Sequence, residues 1–169
     1  MTALALPIAQ TAAILFLAAW MFTGVKDNWL HPDLNRAIVA VILRIERLEQ
    51  LYPDDFAQVR HRRVESEFWH RAIFRLIVVW ESLTVILCTI AAGAMVWALV
   101  GGGTLEFARA LALLGATAFT ATWAGFLSFG NHWVYWYCHE WGQNSHFQLL
   151  LWGLATMILL AVGQAPASV

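Results

Sequence analysis

Glu81 is the residue whose type and place most invite chemistry. It is a lone carboxylate in the otherwise apolar run Leu76 to Val100, six residues after Arg75. A charge at membrane depth is costly and needs a partner, a water pocket or a proton. His70 lies eleven residues earlier, about three helical turns. The residues His70, Phe74, Ile77, Glu81, Thr84 and Cys88 therefore form one helical stripe, which must face inward if its polar atoms are to be satisfied. Arg71 and Arg75 are the nearest cations, and Arg75 lies on another face. The functional reading is a proton-handling or quinone-contacting carboxylate, with Glu81, His70, Trp80, Trp133 and Trp136 as candidate cofactor-binding residues. The plainer reading is a structural hydrogen bond to another span.

A second constellation runs from Gly130 to His146. His132, His139 and His146 recur every seven residues. On one helix they would share a stripe with Trp136 and Gln143. Imidazoles bind zinc or copper, and Cys138 or Glu140 could add a ligand. However, seven helical residues rise about 10.5 Å, too far for one ion on a straight helix. A break at Gly142 would be needed to bring these three metal-ligand candidates together. The alternative is an aromatic and imidazole anchor at the headgroups. A buried haem would take axial His from inside facing spans, and none of the six His lies in an apolar run. An edge-on haem remains open, and no cofactor is firmly implied. Gly101-Gly102-Gly103 lacks the Lys of a phosphate loop. With no Ser/His/Asp order and no paired carboxylates on one span, the reading leans away from an enzyme.

These residues must be positioned by elements suited to hydrocarbon. The 169 residues are 60% hydrophobic and 12% charged, against about 25% charged in a soluble domain. Mean hydropathy is +0.63, which excludes a disordered chain. The net charge of −1 leaves no basic field for nucleic acid, and two Cys make no disulfide scaffold. Crossing a bilayer core takes about 20 apolar residues. Four runs fit: about 6–25, 76–100, 110–129 and the shorter 147–163. The first reads as an uncleaved anchor, because no basic region precedes it.

Four spans place both termini and the Gly101–Thr104 turn on one side, side A. Segments 26–75 and 130–146 fall on side B. All six His, nine of ten Lys/Arg and nine of ten Trp lie on or near side B; Arg109 and Trp97 are the exceptions. The chain is thus expected to be one membrane domain, 1–169, with an extramembrane helical segment over about 34–75. Within it, Leu34, Ile38, Val41, Ile45 and Leu48 predict one amphipathic helix from Leu34 to Leu51, stopped by Pro53. Its apolar face can lie in the interface, although the nearby spans favour packing on the protein itself. Arg60, His61, Arg62 and Arg63 read as a solvated, salt-bridged helix start with Glu65 and Glu67, or as a contact for anionic headgroups. Ala108, Ala112 and Ala116, and Ala121 with Gly125, form small-residue strips that serve internal packing or a partner.

Trp80-Glu81-Ser82-Leu83-Thr84, followed by Leu87-Cys88, resembles the second span of the bacterial small integral membrane proteins called domain of unknown function 2165. Gly125-Phe126, Gly130, Trp133, Trp141-Gly142-Gln143 and Phe147 resemble that family's third-span exit and following loop. His70 stands where the family carries His. His132 replaces an acidic residue, and the Asn of the family's Trp-Asn-Gly-Gln is missing. The resemblance runs from about Phe68 to Gly153 and implies fold and location but no activity.

The combined expectation is an all-α integral membrane protein with four transmembrane helices and an amphipathic interfacial helix between spans 1 and 2. Its partners are the lipid bilayer and a membrane protein or second copy, with no nucleic acid. Its function is expected to be an accessory or scaffold subunit of a larger membrane complex. Alternatives are a redox or proton-linked site near Glu81 and His70, or a small oligomeric transporter or lipid-binding protein. The expected location is the bacterial inner membrane. The Lys/Arg count turns side B to the cytoplasm, and the resemblance turns it away.

Overall fold

A computed structural model describes residues 4–163, and the described residues fold into helices joined by short turns. Four helices are long and apolar enough to cross a membrane: α1 (Ala5–Leu30), α5 (Glu67–Leu99), α6 (Leu105–Gly130, prolonged by a turn to Trp133) and α8 (Glu140–Ala161). Between α1 and α5 lie α2 (Pro32–Leu43), α3 (Glu46–Leu51) and α4 (Pro53–Val59); α7 (Tyr135–Cys138) precedes α8. The chain is an all-α membrane protein.

In the bundle, α1 packs along α5, α5 along α6, and α6 along α8. The core between them holds Ile14, Leu17, Met21, Cys88, Ala91, Met95, Ala108, Ala112, Ala116, Phe119 and Leu160. Small residues allow this closeness. Ala112 and Ala116 are fully buried, and the Cys88 thiol donates to the Gly115 carbonyl at 3.3 Å. The Ala108–Ala112–Ala116 strip is therefore consumed by internal packing and offers no face to a partner.

On side A, Gly101 (φ 84°) adopts the left-handed conformation that favours glycine, closing α5 before α6 begins. The same end is clasped by a polar group inside the bundle. Gln10 Nε2 donates to the carbonyls of Leu159 (2.8 Å) and Val162 (3.0 Å), and its Oε1 accepts from Arg109 Nε at 2.8 Å. Arg109 also donates to the Gly163 carbonyl at 3.2 Å. The one cation of side A thus ties the starts of α1 and α6 to the end of α8.

The helix expected from Leu34 to Leu51 is two helices. Pro32 starts α2, after its ring has forced His31 out of helical geometry (φ −133°). At Ile45 the chain turns left-handed (φ 54°), a costly conformation for a β-branched residue. What holds it there is burial: Ile45, Leu48 and Cys138 form a small second core with Phe56, Val59, Trp133, Val134 and Tyr137. The expected apolar face divides accordingly. Ile45 and Leu48 pack inward, whereas Leu34 (69% exposed) and Ile38 (40%) face outward, where an interfacial helix meets lipid.

Candidate functional site

Side B contains two distinct structures, a cap and a cleft. The cap is the second core together with the connections around it. Its polar groups are tied to one another. Arg44 meets Glu46 at 3.1 Å and also pairs with Glu67, and Arg63 meets Glu49 at 2.9 Å and Glu65 at 2.7 Å. The hydrogen bond that Arg44 donates to Glu46 raises the Arg44 pKa. Trp133 Nε1 donates to the Arg62 carbonyl at 3.0 Å, and the Tyr137 hydroxyl donates to Asp55 at 3.1 Å. That bond to a carboxylate pushes the Tyr137 pKa up. Within the basic run, Arg63 is salt-bridged, and Arg60–Arg62 form a single turn that caps no long helix.

The stretch 131–146 does not form one helical stripe. It breaks at Val134 (φ 58°) and again at His139 (φ −135°). Gly142 lies inside α8, where it makes room: a Cβ there would strike the Tyr135 hydroxyl, and one at Gly130 would lie 3.1 Å from Tyr135 Cβ. Tyr135 is thereby seated between two imidazoles. Its ring stacks on His139 and on His146, both at 5.7 Å, and its hydroxyl lies 3.2 Å from His146 Nδ1. Burial pushes the Tyr135 phenol up to about 12 and the His139 imidazole down; Arg47 adds to the latter shift. His132 instead packs edge-on against Trp133. Among the described residues no group of three or more His, Cys, Asp or Glu is placed to hold a metal ion.

Of the expected stripe on α5, His70, Phe74, Glu81, Thr84 and Cys88 are buried, whereas Ile77 is half-buried and Val78 takes the inward place. His70 and Glu81 nevertheless have separate partners. His70 Nε2 lies 2.7 Å from the Val64 carbonyl and Nδ1 3.4 Å from Arg44. With Nε2 donating, Nδ1 accepts from the guanidinium, so both ring nitrogens of His70 serve to dock the start of α5 on the cap. Glu81 accepts from Asn28 Nδ2 at 2.9 Å, and Asn28 Oδ1 in turn accepts from Asn35 Nδ2 at 2.6 Å. This chain of amides links a carboxylate inside the bundle to the interfacial helix α2. Trp80 Nε1 donates to Thr122 at 2.9 Å and so joins α5 to α6. Trp136 sits in the cap, edge-on to Tyr137.

In front of Asn28 opens the cleft, of about 360 Å³, between the end of α1, the start of α2 and the first half of α5. Its walls carry Asn28, Trp29, Pro32, Arg36, Arg71 and Arg75 at the polar end, and Phe74, Val78 and Val79 along α5. Trp29 is pinned by a 3.0 Å bond from Nε1 to Ser82. Glu81 stands one hydrogen bond behind this wall. Asn28, Asn35, Trp29 and Arg36 were absent from the residues singled out by sequence. The available signal was the pair Arg71 and Arg75, four residues apart on the face that continues to Val78 and Val79.

The comparisons agree with this architecture. A family model described as a predicted small integral membrane protein (DUF2165) matches residues 6–163. The chain belongs to that family and is a multi-pass integral membrane protein. No curated protein and no solved structure matches it.

Proposed function

We propose that this protein is a lipid-binding membrane protein whose binding site is the side-B cleft. The observation that carries the reading is the order of polarity along the cleft wall. On α5 the lining runs from Arg71 and Arg75 to Val78 and Val79, so it passes from cationic to apolar in the direction that leads into the bilayer. The 33 residues of α5 rise about 50 Å, against a hydrocarbon core of about 30 Å. The first turns of α5 therefore lie at headgroup level and the valines below them. An amphiphile with its head outward and a chain downward matches that gradient. The test is lipid extraction from protein purified in mild detergent. About one phospholipid per chain, retained through detergent exchange, is expected. Protein that emerges free of lipid and equally stable overturns the reading.

A second reading, an accessory or scaffold subunit of a larger membrane complex, is favoured by the exposed Trp136 of the cap and the exposed Trp141 at the start of α8. Aromatic side chains at such positions anchor interfaces as well as headgroups. A partner that co-purifies with the wild-type chain and is lost with Trp136→Ala and Trp141→Ala supports it. A lone chain at native expression rules it out.

A further inference from the structure

Resting on the lipid-binding reading, we infer that the cleft selects a phosphate-bearing anionic headgroup. Three arginines line one cleft, Arg36, Arg71 and Arg75. Among the described residues, Arg71 and Arg75 take part in no ion pair, whereas Arg36 meets Asp33 at 2.7 Å. The other arginines of this side that face carboxylates are consumed by them in the cap. Like charges four residues apart on a helix repel, and here they are held beside a third. An anion placed between them relieves that repulsion.

The guanidinium is the cation suited to this role, because its planar fork meets two oxygens of a phosphate at once and is only weakly hydrated. Asn28 cannot add a second anion-binding donor freely, since its amide nitrogen is already given to Glu81 and its oxygen to Asn35. It forms a neutral polar floor that separates the buried carboxylate from the bound anion. Trp29 closes the polar end with an indole whose N–H is already bonded to Ser82, so the ring face is what it presents. Phosphate recognition thus falls to Arg71 and Arg75, with Arg36 supporting from α2. A zwitterionic headgroup carries its own ammonium into the same space and is disfavoured by all three.

The measurement is native mass spectrometry of the full chain in mixed micelles, titrated with phosphatidylglycerol or with phosphatidylcholine of the same acyl chains. Wild-type protein is expected to bind phosphatidylglycerol at least tenfold more tightly. The double variant Arg71→Gln, Arg75→Gln loses that preference; Arg71→Lys, Arg75→Lys keeps part of it, because charge persists without the fork. Both positions are exposed, and Arg60→Gln on the cap, equally exposed, serves as the control that leaves the preference intact. Equal binding of the two lipids by wild-type protein overturns the anionic selection while leaving the lipid reading in place. Binding of neither overturns both. Displacement of phosphatidylglycerol by millimolar inorganic phosphate, with phosphate itself retained, overturns the lipid as occupant and assigns the arginines to a soluble phosphate.

Discussion

Cap and cleft lie on the same side of one bundle and draw on the same residue types. In the cap, Arg44 and Arg63 meet four carboxylates, Glu46, Glu67, Glu49 and Glu65. In the cleft, Arg71 and Arg75 line a cavity with no acid paired to them among the described residues. The cap's aromatic rings are likewise packed on one another, His139 on Tyr135 on His146, while Trp29 stands 62% exposed at the mouth of the cleft. Residues that satisfy one another hold a shape. Residues held near one another without mutual satisfaction are placed for something else. By that measure His139 and His146, stacked on Tyr135, have partners within the protein, whereas Arg71 and Arg75 are left for the proposed site.

The contrast can be broken in graded steps. Gly142→Val forces a side chain into the Tyr135 hydroxyl and should cost about 3 kcal/mol, the upper range for overpacking. Thermal unfolding in detergent should show the loss, with headgroup selectivity in the cleft unchanged. Asn28→Leu removes the donor to Glu81 and the acceptor of Asn35, at about 2 kcal/mol for buried polar groups left unpaired. Because Asn28 also lines the cleft, this variant should lower stability and lipid retention together, which no cap variant does. The cleft variant Arg71→Gln, Arg75→Gln should leave the unfolding temperature within a degree or two, since surface substitutions without partners change stability by less than about 0.5 kcal/mol. Val134→Gly relieves a left-handed β-branched residue but gives up packing against the second core, so the two terms offset and stability should change by less than about 1 kcal/mol. Ile45→Gly relieves the same strain but empties the second core, so it should lower stability.

The smallest effect is a pH dependence confined to the cap. Burial holds the His139 pKa below its ordinary 6.5. Below pH 6.5 the opened chain takes up a proton that the folded cap refuses, so stability is lost as pH falls. The protection of amides 135–139, taken as exchange relative to the free-peptide rate at the same pH, should fall below that pH, and His139→Gln should flatten the dependence. Protection that rises on acidification reverses the sign and contradicts the account.

Much of the fold was legible because hydrocarbon imposes a simple demand: every crossing needs an uninterrupted apolar run, and four such runs exist. The one-sided distribution of His, Trp and cations was legible for the same reason. The inward stripe of α5 followed from the cost of leaving Glu81 in lipid. What was not legible depends on contacts distant in sequence. Ile45 has the pattern of a helical residue, and only its burial against Cys138 bends the chain there. Asn28 lies 53 residues from Glu81, and no periodicity relates them. The cleft exists because Pro32 turns α2 back across α5, bringing Arg36 to the same cavity as Arg71 and Arg75; in the sequence Arg71 and Arg75 stand out only as the cations nearest Glu81. The histidine spacing of seven needed a break at Gly142; the breaks fall at Val134 and His139 instead, and among the described residues no group of three ligands is brought together.

The central claim is that the cleft, and not the aromatic belt at large, is where lipid is held. Photo-crosslinking locates it directly. The protein is reconstituted with an anionic phospholipid bearing a photoreactive group near the headgroup, irradiated, digested and mapped. Adducts concentrated on Trp29–Arg36 and on Arg71–Val79, and reduced in Arg71→Gln, Arg75→Gln, are the predicted result. Adducts spread evenly over the outward tryptophans Trp69, Trp136 and Trp141, and unchanged in that variant, would contradict it.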